Sequence, residues 1–137
     1  MAGVPLPSAP PTTDVVTPAD VELIVRRFYQ AAIPDPLLGP LFEAARLDWS
    51  VHVPLMCAFW ERELFGLPGY AGNVVAAHRP MLDVAPLGTA SLERWVELFD
   101  EIVDERFVGP TAEHAKRRAR QVAGAIATLA ARHGAAR

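Results

Sequence analysis

Between Asp48 and Gly66 the chain reads DWSVHVPLMCAFWERELFG, the stretch around which the rest of the chain is organised. Trp49, His52, Val53, Met56, Phe59, Trp60, Glu63 and Leu64 recur at steps of three and four, so they share one face of a helix. That face is broad, apolar and aromatic, and it carries an imidazole near its start. Pro54 is compatible with a helix that begins at Asp48 or Trp49, because the first N–H groups of a helix have no partner inside it. Taken alone, the pattern also describes an ordinary core helix whose His52 is packed and hydrogen-bonded. A second histidine, His78, on the next segment but one, opens another reading.

The flanking sequence is punctuated in the same helical idiom. Thr17-Pro18-Ala19-Asp20 is a helix start, with a threonine cap, proline in the first turn and an acid three residues after the cap. This helix is predicted to run to about Ile33, where Pro34 and Pro36 stop it. Asp35 to Phe42 is too short and proline-rich for a long helix. One turn delivering Leu37, Leu38, Leu41 and Phe42 to the core is the expectation. Gly66-Leu67-Pro68-Gly69 breaks the central helix, and Tyr70-Ala71-Gly72-Asn73 is a turn into a short helix from Val74 to about Leu82. Pro80 makes the end of that helix irregular.

Val84 to Ala90 reads as a connector. Ser91 to Phe107 is predicted as a long amphipathic helix with Leu92, Trp95, Val96, Phe99, Ile102, Val103 and Phe107 inward. After Gly109-Pro110-Thr111, a last helix from Ala112 to about His133 buries Ala115, Ala119, Val122, Ile126 and Leu129. Its Lys116, Arg117, Arg118 and Arg120 read as a solvated face, and His114 and His133 as water-facing. No repeat and no strand pattern is visible, so the fold class is all-α.

Composition sets the outer limits. A chain of 137 residues, 51% hydrophobic, holds one real core, assigned to residues 17–137. Residues 1–16, rich in proline and small side chains, read as a disordered tail that can be removed without loss. A formal net charge of −3 argues against nucleic acid as a partner. No apolar run approaches a membrane span, and the start of the chain lacks the pattern of a signal peptide. The single cysteine, Cys57, reads as a packed, inert thiol and suits a reducing compartment. A cytoplasmic protein is expected.

Two histidines on separate helices with an apolar surface between them do not suit a zinc hydrolase, which wants a denser ligand set. A lone histidine in an apolar slot, faced by a second polar group, suits haem iron. The pattern is not specific by itself.

From about Thr17 to Leu129, however, the chain resembles the truncated haemoglobins, most closely their group III branch. The matching residues are Phe28-Tyr29, Asp35-Pro36-Leu37-Leu38-Gly39-Pro40 with Phe42, Asp48-Trp49 followed by His52, then Met56 and Phe59-Trp60. Tyr70 with Gly72-Asn73, His78, Arg94-Trp95 and Leu98-Phe99 complete the series in order. The resemblance implies a globin variant in which two helix pairs sandwich one haem b. It makes His78 the iron ligand, puts Tyr29, His52 and Trp95 on the opposite, distal side, and sets Phe42 against the haem plane. Met56, Phe59, Trp60 and Tyr70 are further haem neighbours by the same resemblance. The family often has a lysine where this chain has Leu55, which leaves Arg79 as the candidate partner for a haem propionate. The family's Gly-Asn-Pro turn is Gly72-Asn73-Val74 here.

The resemblance implies O2, nitric oxide or peroxide as small ligands, with a reductase as protein partner. Hydrogen bonds from Tyr29 and Trp95 to a bound gas would slow its release and favour transformation over bulk transport, by nitric oxide dioxygenase-like or peroxidase-like chemistry. His52 is expected near the rim, as a gate or, turned inward, as an acid–base group for peroxide. A non-catalytic oxygen carrier or gas sensor remains open, as does, outside haem chemistry, a helical interaction module.

Overall fold

Helix starts and stops fall where local capping chemistry puts them. The computed structural model describes residues 9–84 and 87–135, and residues 1–8 of the expected tail lie outside that range. The elements are α1 (Pro18–Ala32), α2 (Gly39–Ala45), α3 (Trp49–Phe65), a 3-10 helix (Ala76–Asp83), α4 (Thr89–Arg106) and α5 (Pro110–Ala135). Thr17 and Asp20 form a reciprocal cap: the Thr17 hydroxyl accepts from Asp20 N at 3.3 Å, and the Asp20 carboxylate accepts from Thr17 N at 3.0 Å. Asp48 caps α3 by accepting from Ser50 N at 3.1 Å, and Gly66, at φ 69°, ends it. Among the described residues there is no strand, and no helix is long and apolar enough to cross a membrane.

The helices pair as α1 on α3 and α4 on α5, with α1 also against α4, α3 against α5 and the 3-10 helix against α5. Val21, Ile24, Val25 and Phe28 of α1 meet Phe59 and Trp60 of α3, and Leu98, Phe99, Ile102 and Val103 of α4. From α5 come Ala112, Ala115, Ala119, Val122, Ala123 and Ile126, small enough along most of the stripe for close approach. Leu129, expected in that stripe, is only half-buried.

Four expectations need correcting. The Asp35–Phe42 segment does not send all its leucines inward. The Asp35 carboxylate accepts from Leu37 N at 2.9 Å and Leu38 N at 3.2 Å, and this turn leaves Leu37 47% exposed while Leu38 is 2% exposed. The short helix beyond it is α2, which continues to Ala45. The segment is pinned to α4 by an Arg94–Asp35 ion pair at 2.7 Å.

The basic start of α5 is not simply a solvated face. Lys116, 13% exposed at its side chain, pairs with Asp104 and Glu113 at 2.8 Å each, Arg118 with Glu63 at 3.3 Å, and Arg120 with Asp100 at 3.2 Å. Each such pair is worth about 0–1 kcal/mol, yet together they set how α5 lies on α3 and α4. Arg117 and His114 are exposed as expected. His133 is half-buried and bonds Asp83 at 2.9 Å, so it joins α5 to the end of the 3-10 helix.

The tail boundary also comes earlier than Val16. Thr13 O accepts from Val108 N at 2.8 Å, Val15 is 2% exposed, and the Asp14 carboxylate accepts from Thr111 N at 2.9 Å and Ala112 N at 2.8 Å. The first N–H groups of α5 need acceptors, and Asp14 supplies one from outside the helix. Desolvation pushes the Asp14 carboxyl up, but the backbone N–H groups of Thr111, Ala112 and Val15 outweigh it and hold the group below the usual carboxylate range. Gly109, at φ 138°, lets the chain turn there, where a Cβ would run into the Asp14 side chain.

Finally, the apolar face of α3 is not uniformly buried. Phe59 and Trp60 are closed in, whereas Trp49, His52, Val53 and Met56 are half-buried.

Candidate functional site

Two helices bring the polar atoms of one side together. Tyr29, near the end of α1, and His52, in the first turn of α3, meet with the Tyr29 hydroxyl 2.7 Å from His52 Nε2. His52 therefore points inward. Around this pair stand Trp49, with its ring 5.1 Å from Tyr29 and 5.7 Å from His52, and Phe42, 5.8 Å from Tyr29 and 5.6 Å from Trp49. The contacts are edge-on or tilted, an arrangement in which ring edges meet ring faces. Burial pushes the Tyr29 phenol well up, so it keeps its proton. Burial, and after it the charge of His78, holds His52 below the ordinary imidazole value. The pair is neutral at pH 7 and shares one hydrogen bond.

The second imidazole comes from a different segment. His78 lies in the 3-10 helix. Its Nδ1 is 2.7 Å from Val74 O, and since a carbonyl can only accept, Nδ1 carries the proton and donates it. Nε2 is then the nitrogen with the free lone pair. Burial pushes the His78 pKa down and the Val74 carbonyl only partly opposes it, so the ring is a neutral Lewis base near pH 7.

The turn leading to His78 is built from backbone acceptors and one amide side chain. Asn73 Oδ1 accepts from Val75 N at 3.1 Å and Ala76 N at 3.2 Å. With Val74 in place of the expected proline, this Asx turn takes over the setting of the helix start. The segment is 3-10 over Ala76–Asp83, with Pro80 inside it.

The other predicted residues fall into separate places. Trp95 is half-buried, stacks on Phe99 at 5.8 Å and 16°, and meets Phe28 at 5.9 Å, which in turn touches Tyr29 at 5.2 Å. Met56 is half-buried on the same helix as His52, and Arg79 is exposed beside His78. Phe59, Trp60 and Tyr70 belong to the closed core: Trp60 stacks on Phe99 at 4.9 Å, and Phe59 meets Tyr70 at 5.5 Å. Cys57 is half-buried and its thiol is pushed up, first by desolvation, so it is a poor nucleophile.

Sequence reasoning gave Trp49 no role at the site, although its place on the α3 face was visible. It missed Arg62 altogether, because an arginine in the last turn of a helix reads as an ordinary partner for the helix dipole.

This helix order, pairing and length define the truncated globin fold. A crystal structure of group III truncated haemoglobin from Campylobacter jejuni matches with a TM-score of 0.73 and 23% identity, over 86% of this chain and 94% of that one. No family model matches the sequence, and no curated protein does.

Proposed function

We propose that the chain binds haem b through His78 and holds a small gaseous ligand or peroxide on the side of Tyr29 and His52. The observation that carries this reading is the capture of His78 Nδ1 by the Val74 carbonyl, which leaves a neutral imidazole with Nε2 as its free donor atom. Among the described residues no three His, Cys, Asp or Glu side chains converge on a metal position. A single imidazole suits a metal that brings its own equatorial ligands, as haem iron does, better than a bare zinc ion. The half-buried strip of Trp49, Val53 and Met56 offers a flat apolar group a surface to cover, with Phe42 beside Trp49. The fold shared with a truncated haemoglobin supports the same reading.

Haem, when bound, supplies the iron at which a diatomic gas or peroxide gathers electron density. The protein's part is to steer that charge. Tyr29 O–H is a donor whose aromatic body is packed, so it can aim a proton at the ligand without leaving an unpaired acceptor. His52 accepts from Tyr29 in one tautomer and donates to it in the other, which lets it take or return a proton for peroxide cleavage. Trp95 is a further donor on this side, set by its stack on Phe99. Arg79 is the cation for a propionate, and Phe59, Trp60 and Tyr70 support the wall from behind. Strong donation favours oxidation of nitric oxide or peroxide chemistry over bulk oxygen transport, and repeated turnover calls for a reductase. We place the protein in the cytoplasm, on its single cysteine.

The test is reconstitution of the full chain with haemin. A ferrous spectrum of a histidine-ligated haem in the wild type, lost in His78→Ala, is expected. Absence of any Soret band in the wild type would remove the reading.

A further inference from the structure

We infer that Arg62 is a positioning residue for His78, clamping the turn that carries the Val74 carbonyl. Arg62 sits in the last turn of α3, before Gly66 reverses the chain. Its Nη1 donates to both Tyr70 O and Gly72 O, each at 3.2 Å. Its guanidinium also lies over the Tyr70 ring at 4.7 Å and near Phe59 at 5.6 Å. Tyr70 is buried and folds back under Gly72, where an added Cβ would come within 3.1 Å of the Tyr70 hydroxyl. A second nitrogen, Nη2, bonds Glu63 at 3.1 Å, and Glu63 is itself held by Arg118 of α5 at 3.3 Å. One planar group thus ties two carbonyls, an aromatic face and an anchored carboxylate.

The clamp reaches His78 through the next few residues of the chain. Gly72 leads into Asn73, whose side chain caps Val75 and Ala76, and then into Val74, whose carbonyl fixes His78 Nδ1. No side chain of the 3-10 helix is fully buried: His78 is half-buried and Met81 packs only partly against the core. The His78 ring is bonded to the Val74 carbonyl, so the path that orients it runs back through the backbone to Arg62. The chemistry needs arginine: a lysine ammonium is a point charge that cannot bond two carbonyls and lie flat on a ring together.

The consequence for an iron ligand rests on the haem reading, but the clamp itself is testable without haem. Arg62→Met, Arg62→Lys and Arg118→Met are compared in the full chain by two measurements. In the haem-free protein, hydrogen exchange at the Val74–His78 amides should rise about tenfold or more in Arg62→Met against unchanged α1 and α4 amides, as local opening does. Arg62→Lys should move in the same direction by less, as should Arg118→Met, which loosens only the Glu63 anchor. In the ferrous haem-loaded protein, the iron–histidine stretching band should shift and broaden in Arg62→Met while the proportion of bound haem stays measurable. Wild-type exchange and a wild-type band in both Arg62 variants would overturn the inference. If the wild type takes up no haem, the functional reading fails, and the exchange measurement alone decides the clamp. If Arg62→Met does not fold, Arg62→Lys decides it by the same two criteria.

Discussion

His52 rides the first turn of a seventeen-residue α-helix with aromatic rings around it, whereas His78 rides an eight-residue 3-10 helix with no fully buried side chain. The first imidazole is held by side chains from two helices, Tyr29 of α1 and Trp49 of α3, both of which meet Phe42 of α2. The second is held by a backbone carbonyl four residues earlier, in a turn fixed by Asn73 and Arg62. The difference has a physical cause. Long α-helices supply periodic faces that pack, so a polar group on them is located by its neighbours' shapes. A 3-10 segment has poorer hydrogen-bond geometry and little face to bury, so its polar group is located by directed bonds. Packing tolerates conservative exchange, while a directed bond is lost when one partner goes.

That contrast can be broken experimentally, and the largest effect is expected at His78. His78→Ala should abolish the histidine-ligated ferrous spectrum, because it removes the proposed ligand nitrogen that the Val74 bond leaves free. A variant that keeps the wild-type spectrum would show that the backbone-held side is not the iron side.

On the packed side, Tyr29→Phe keeps the ring and removes the donor. Oxygen release in stopped flow should speed up by several-fold to about a hundredfold, taking up to roughly 3 kcal/mol for a charged acceptor. Because Tyr29 and His52 share one bond, Tyr29→Phe combined with His52→Leu should change the rate by less than the product of the two single effects. Independent effects would mean the pair is not coupled in solution. Trp95→Phe is expected to do less than Tyr29→Phe, since its ring reaches Tyr29 through Phe28.

Asp14→Ala serves as a control away from both sides. Loss of this cap on α5 should lower unfolding free energy by about 0.5–2 kcal/mol without moving the visible spectrum. A stability equal to wild type would restore the view that everything up to Val16 is a dispensable tail.

Asn73→Ala should be milder. Its expected signature is faster exchange at Val75 and Ala76, worth about 0.5–1.5 kcal/mol locally, with little change in melting temperature. Equal disturbance of α3 amides would erase the distinction between the two regions.

The shallowest response is expected from pH. His52 and His78 both have folded-state pKa values below the ordinary 6.5, chiefly through burial. The unfolded chain therefore binds protons first as pH falls. Stability of the haem-free protein should be level above about 7 and decline as pH drops below the unfolded value of about 6.5 toward the lower folded ones. Denaturant melts of the wild type and of His52→Leu check it, the variant losing part of the slope. An increase in stability over the same interval would contradict the assigned protonation states.

Much of the fold was legible because its determinants are local. The Thr17–Asp20 cap, the Asp48 cap and the Gly66 stop involve residues within five positions of one another. Much of the inward faces of α4 and α5 follows from spacing, but Leu92, Trp95, Val96 and Leu129 are only half-buried, and the buried Leu98 lies outside the expected stripe. Leu37 went wrong for an equally local reason that periodicity does not encode, namely the Asp35 side chain bonding the backbone just ahead of it. At the site, residue types and their order suggested His78, Tyr29 and His52, but not how His52 would point or what would hold His78.

The sequence by itself determined an all-α chain, its helix ends and the chemical kinds of group available to a site, since capping, proline geometry and apolar period act within a few residues. Tertiary structure alone decided which groups meet. Tyr29 finds His52 across 23 positions, and Asp14 finds Thr111 across 97. Arg62 reaches Tyr70 and Gly72 only because the chain reverses at Gly66. Such bonds depend on how whole helices pack, and each partner has an equally ordinary alternative in water. Only the closed fold, by removing that water, makes the partners choose one another.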